Sequence, residues 1–167
     1  AQQRAEEMAA IESVLHARRS DPRVGDWLEA AQGDDPVQGA QLREIRRAFD
    51  RANKVPAALA TRIARVTSEA QGVWAQARAD EDVAGFLPIL TEVVALRREE
   101  GAALAQGGNI YDALVEDYEP ETTGDQIAAI FDAMRPRLVA LRAAILDRPA
   151  PRGLDGSFDA NRQMQLS

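Results

Sequence analysis

The sequence predicts an all-α fold, an antiparallel bundle of long helices with short connections. Apolar residues recur at three- and four-residue steps along most of the 167-residue chain, and no stretch alternates with a two-residue period. Helix start signals, a capping Ser, Thr, Asp or Asn often followed by Pro, punctuate that pattern at short intervals. Long helices joined by short turns pack antiparallel.

The first helix covers residues 2–17, with Ala5, Met8, Ile11 or Glu12, and Leu15 at helical spacing. Ser20 or Asp21 caps a second, with Pro22 in its first turn, Val24, Trp27 and Leu28 facing inward and an end near Gly33. Asp34 and Asp35 ahead of Pro36 repeat the signal for a third helix, which has an apolar stripe of Leu42, Ile45, Phe49 and Ala52 and closes at Lys54. Val55 and Pro56 open a fourth helix with Leu59, Ile63, Val66, Ala70, Val73 or Trp74, and Ala77 inward. After an acidic turn, Asp80-Glu81-Asp82, a fifth helix over residues 86–105 has Pro88 near its start and Leu87, Leu90, Val94 and Leu104 on its buried side. Gly107-Gly108 terminates it.

Asn109 caps a short helix over residues 110–117, which Pro120 stops. Tyr111 and Tyr118, the only two tyrosines, lie seven positions apart and so share one face of that helix. Thr123 and Gln126 form a capping box for a sixth long helix carrying Ile127, Ile130, Phe131, Met134, Leu138, Leu141 and Ile145, which Pro136 should kink. Residues 149–156 are a Pro/Gly-rich loop, and Phe158 and Asp159 lead into a last helix. The division expected is a helical region, 1–148, and a loop with the start of the next helix, 149–167. Both termini fall inside helical patterns and read as cuts in a longer protein.

Composition narrows the function. With 46% hydrophobic residues the chain suffices to bury a core without staples, and zero cysteines exclude thiol chemistry and suit a cytoplasmic protein. A net charge of −7 argues against a nucleic-acid or anionic-membrane partner. No apolar run approaches the roughly 18 residues a membrane span requires.

Candidate chemistry is sparse. A metal site needs converging ligands, and the one histidine, His16, stands four residues after Glu12 and reads as an exposed ion pair. No serine has a Gly-x-Ser-x-Gly context, and Gly107-Gly108 lacks the spacing of a phosphate loop. Glu116, Asp117, Glu119 and Glu121 crowd the tyrosines as a solvated face, and Arg97-Arg98-Glu99-Glu100 reads as local pairs on a helix surface.

Three blocks together resemble the carboxypeptidase Taq family of zinc metallocarboxypeptidases. They are Thr67-Ser68-Glu69-Ala70 with Trp74 and Ala77-Arg78, then Phe86-x-Pro88 with Leu96-x-Arg98-Glu99, then Tyr111-Asp112-Ala113-Leu114 with Asp117-Tyr118-Glu119-Pro120. Flanking segments agree, Arg4-Ala5-Glu6 through His16 and Asp21-Pro22 on one side and Gly156-Ser157-Phe158-Asp159 on the other. Glu121 departs from the family pattern, which usually has glycine after Tyr-Glu-Pro.

The resemblance implies a large helical enzyme, a homodimer, that releases single residues from peptide C-termini. It also implies zinc held by a His-Glu-x-x-His helix and a later glutamate, neither of which this sequence contains. No catalytic or metal residue carries over, so the chain corresponds to the N-terminal helical region, inactive alone and binding no zinc itself. By the same resemblance Trp74, Arg78, Tyr111, Asp112 and Tyr118 line the peptide groove or brace its wall. The rival expectation is a stand-alone helical interaction module. A piece of a larger enzyme should bare an apolar face, and an independent module should show a polar exterior.

Overall fold

Side-chain caps mark where several of the helices begin. The computed structural model describes residues 2–33, 35–150, 153 and 156–166, and among them every regular element is helical. Helix α1 is Gln2–Arg19. The Asp21 carboxylate accepts from the Arg23 amide at the start of α2, Pro22–Ala30, and hydrogen bonds from the Arg23 side chain hold its pKa down to about 2. Asp35 accepts from the Val37 and Gln38 amides and opens α3, Pro36–Lys54; Asp34, the other cap candidate, lies outside the described residues.

Helix α4 is Ala57–Ala79, entered through Pro56. Helix α5, Val83–Ala105, begins three residues earlier than the pattern suggested, because Asp82 caps the Gly85 amide and Pro88 is accommodated inside the helix. It ends on Gln106 in the left-handed conformation, φ 49°, one residue before Gly107 at φ 94°. Asn109 opens α6, Ile110–Val115. That helix stops two residues sooner than predicted, so Tyr118 lies in the turn beyond it and does not share a helix face with Tyr111.

Contacts divide the chain into two units, Ala1–Gly124 and Asp125–Ser167. In the first, α1 packs on α4, α4 on α5 and α5 on α6, while α3 touches α1, α2 and α5. The core joins Val55, Leu59, Val66, Leu96 and Leu104, with Ile63, Ile89, Val93 and Leu114 against it. Gly101 is required where α5 meets α6: a Cβ there would stand 2.6 Å from Ile110 Cγ2. Arg46 ties α3 to the end of α2 by donating to the Leu28 carbonyl at 2.8 Å.

Several inward faces differ from those predicted. Helix α5 carries two apolar stripes; the structure buries Leu96 and Leu104, with Ile89 and Val93 beside them, and leaves Leu87, Leu90 and Val94 exposed. In α1 the inward residues are Ala5 and Ala9, followed by the half-buried Glu12 and His16, while Met8, Ile11 and Leu15 are exposed. Small residues let α1 approach closely, so the stripe of greatest hydrophobicity is not the one buried. Trp27, Ile45, Val73 and Trp74 are exposed as well.

Helix α7, Gly124–Leu146, lies in the second unit apart from its first residue; it continues through Pro136 and contains no buried residue. Helix α8, Ala160–Leu166, follows Asp159, whose carboxylate accepts from the Arg162 amide at 3.0 Å. Loop residues 151, 152, 154 and 155 lie outside the described residues.

Candidate functional site

The five residues singled out by resemblance fall in two places. Trp74 and Arg78, four apart near the end of α4, line a depression of about 270 Å³ with Val83 and Phe86 of α5. Tyr111 and Asp112 sit on α6, where Asp112 Oδ1 accepts from the Gly124 amide at 2.8 Å. The Tyr111 ring covers Gly124, so a Cβ there would stand 3.1 Å from Cδ1. Tyr118, 84% exposed, reaches into solvent.

A second depression, about 490 Å³, opens between α3 and the turn after α6. Arg47, Arg51 and Lys54 supply its cations, and Asp112, Glu116 and Asp117 its facing carboxylates. A third, about 390 Å³, holds Glu12 and His16 of α1 and Glu100 of α5. Arg51 lines both.

Arg51 is the centre of an ion-pair network that sequence patterns did not reveal. Its Nη2 lies 3.0 Å from Glu100 Oε1 and 2.7 Å from Asp117 Oδ2. Arg97 Nη1 holds the other Glu100 oxygen at 2.7 Å, and Arg47 reaches Glu44 and, at 3.4 Å, Glu116. The Arg97–Glu100 segment is therefore only partly local: Glu100 is buried and tied to α3, and Glu99 pairs with Arg62 of α4 at 3.3 Å. One signal was available. Leu96, Glu100 and Leu104 share a four-residue spacing, which places a carboxylate on an inward stripe.

Asp117 is likewise not simply a solvated carboxylate. Burial pushes its pKa above the usual value, opposed by Arg51 and reinforced by Glu100, because one guanidinium serves two acids.

His16 does not act as a surface ion pair. Its Nε2 lies 2.7 Å from the Val55 carbonyl oxygen, which accepts a hydrogen bond from the ring N–H. Among the described residues no group of three His, Cys, Asp or Glu is placed to hold a metal ion.

The geometry defines a helical scaffold, cross-linked by side-chain ion pairs and carrying exposed aromatic residues. The chain belongs to the carboxypeptidase Taq (M32) metallopeptidases, whose pattern matches residues 1–167. It is 39% identical over 158 residues to thermostable carboxypeptidase 1 of Thermus thermophilus, covering 86% of this chain and 31% of that protein. Trypanosoma cruzi metallocarboxypeptidase 1 superposes with a TM-score of 0.68 at 33% identity, over 96% of this chain and 34% of that one. A BsuCP crystal structure shares the fold, with a TM-score of 0.84 at 16% identity, covering 99% of this chain and 35% of the other. The chain spans about a third of the length of these relatives. No helix among the described residues is long and apolar enough to cross a membrane.

Proposed function

We propose that this chain is the N-terminal helical wall of a zinc-dependent metallocarboxypeptidase, which encloses a peptide while ligands outside residues 1–167 hold the metal. The observation that carries the proposal is the match to the metallopeptidase family along every residue of the chain. The exposed apolar stripes of α1 and α5 agree with it, since they suit a wall whose inner packing is completed by further polypeptide. A stand-alone interaction module would keep a polar exterior, and is the weaker reading.

Within the wall the residues divide by what they touch. Asp112 and Tyr111 brace the passage from α6 into α7 through Gly124, whereas Tyr118 and Trp74 with Arg78 keep the free surface needed to face a peptide. The complete enzyme is a cytoplasmic homodimer in this reading, by family likeness.

The test is to purify the complete protein, measure bound zinc and subunit mass, and follow release of the last residue from peptides with free and amidated C-termini. Zinc near one per subunit, with hydrolysis confined to free C-termini and abolished by a chelator, is the expected result. A native product of this chain's 18.2 kDa without zinc would sink the proposal.

A further inference from the structure

The turn after α6 is closed by one of its own side chains. Residues 116–121 read Glu-Asp-Tyr-Glu-Pro-Glu and include no buried residue, so no apolar side chain anchors them in the core. The Tyr118 and Glu119 amides donate back to the Val115 carbonyl at 2.8 and 2.9 Å, which shapes the first half of the turn. Glu116 joins its two ends. Oε2 accepts from the Glu121 amide at 2.9 Å, and Oε1 lies 3.4 Å from Arg47 Nη1 on α3. A single carboxylate thus clasps the turn across five residues and ties it to the bundle.

The clasp acts where the backbone needs support. Glu121 has φ 64°, in the left-handed region that favours glycine, and the Glu116 oxygen holds its amide there. Arg47 also pairs with Glu44 of its own helix, so letting go of Glu116 leaves that cation compensated. Losing the clasp therefore loosens the turn without disturbing the bundle. Tyr118 stands inside the clasped segment, two residues after Glu116 and three before Glu121. Its ring is 84% exposed, so the direction it takes is set by the turn and not by packing.

We infer that Glu116 is a positioning residue for Tyr118: by clasping the turn and docking it on α3, it presents the exposed ring in one place before a peptide arrives. The inference rests on the reading in which Tyr118 faces the peptide. A ring on a loose turn must be ordered at each encounter, and that cost weakens binding without touching the chemical step. A turn fixed in advance avoids it.

The test uses the complete enzyme and two readouts, the kinetics on a peptide with a free C-terminus and amide exchange over residues 117–122. Glu116→Ala should raise KM about fivefold with kcat nearly unchanged, and should speed exchange in the turn while α4 keeps its rate. Adding Glu121→Gly should recover part of both effects, because glycine adopts the positive φ without a clasp. In a Tyr118→Ala background, itself raised in KM, Glu116→Ala should raise KM no further. Turn exchange unchanged by E116A overturns the inference whether or not the protein cleaves peptides. A KM effect of E116A that persists in full without Tyr118 overturns the positioning role. Absence of peptide hydrolysis, or a KM untouched by Y118A, defeats the reading beneath it and removes what Glu116 would position.

Discussion

The Arg51 guanidinium lies 3.0 Å from the Glu100 carboxylate although 49 residues separate them, and the pair fastens α3 to α5 at the edge of the core. Glu100 is 7% exposed, so its charge depends on Arg51 and Arg97 for compensation. Glu100→Ala should cost about 2 kcal/mol in urea unfolding, less than for a fully buried pair because both arginines are partly in water. Replacing Arg51 by Met together with Glu100 by Leu should recover most of that loss. A double variant as unstable as E100A would show that packing, not charge, was at stake.

Gly101 faces Ile110 and Leu114 of α6. Because the nearest atom is a β-branch methyl, a new Cβ displaces backbone and not a flexible side-chain end. Gly101→Ala should destabilise by about 2 kcal/mol and speed amide exchange over α6. Exchange at the wild-type rate there would contradict the contact.

Asp117 carries a pH signature. Its folded pKa lies above the ordinary 3.8, so between the two values the folded state binds more protons than the unfolded one. Its contribution to stability is greatest below pH 3.8 and is lost as pH rises through the folded pKa. Relative to wild type, Asp117→Asn should therefore gain stability between pH 3 and pH 7, read from urea midpoints at about those two pH values. A relative loss over that interval would mean that attraction to Arg51 outweighs burial.

The Asn109 side chain accepts from the Tyr111 amide at 2.8 Å and the Asp112 amide at 3.3 Å. Asn109→Ala should cost about 1 kcal/mol, and Asn109→Asp or Asn109→Ser should restore most of it. Thermal midpoints of the three variants decide the matter.

In the complete enzyme Trp74→Ala and Tyr111→Phe should part company. Trp74 is 52% exposed, so truncating it should leave the melting temperature nearly unchanged and raise KM several-fold if the depression beside Arg78 receives peptide. Tyr111→Phe keeps the ring over Gly124 and should change neither kcat nor KM. Unchanged KM in the tryptophan variant would reduce Trp74 to a structural residue.

Local chemistry proved legible and tertiary choice did not. Asn109 could be read as a cap, and Asp21 and Asp35 as one of two adjacent candidates each, because a cap concerns only its own helix start. The family blocks around Trp74 and Tyr111 were equally readable, and the family is borne out. Misreadings arose wherever two faces of one helix competed. Along α5 both Leu90 and Val93 sit on apolar stripes, and only the contact with α4 selects the second. In α1 the inward stripe runs Ala5, Ala9, Glu12, His16, so hydrophobicity pointed to its neighbour. Of the network at Arg51 only the inward place of Glu100 was readable, because its members come from three separate segments.

Arg51 is also the one guanidinium common to the walls of two depressions, one toward His16 and one toward Asp112. An anion entering either space competes with Glu100 and Asp117 for the same donors, and the altered pairing is felt on the far side of the side chain. Thermodynamic linkage makes that influence mutual and equal in both directions. Two hollows that share a single cation would therefore respond together to any anion held in either of them.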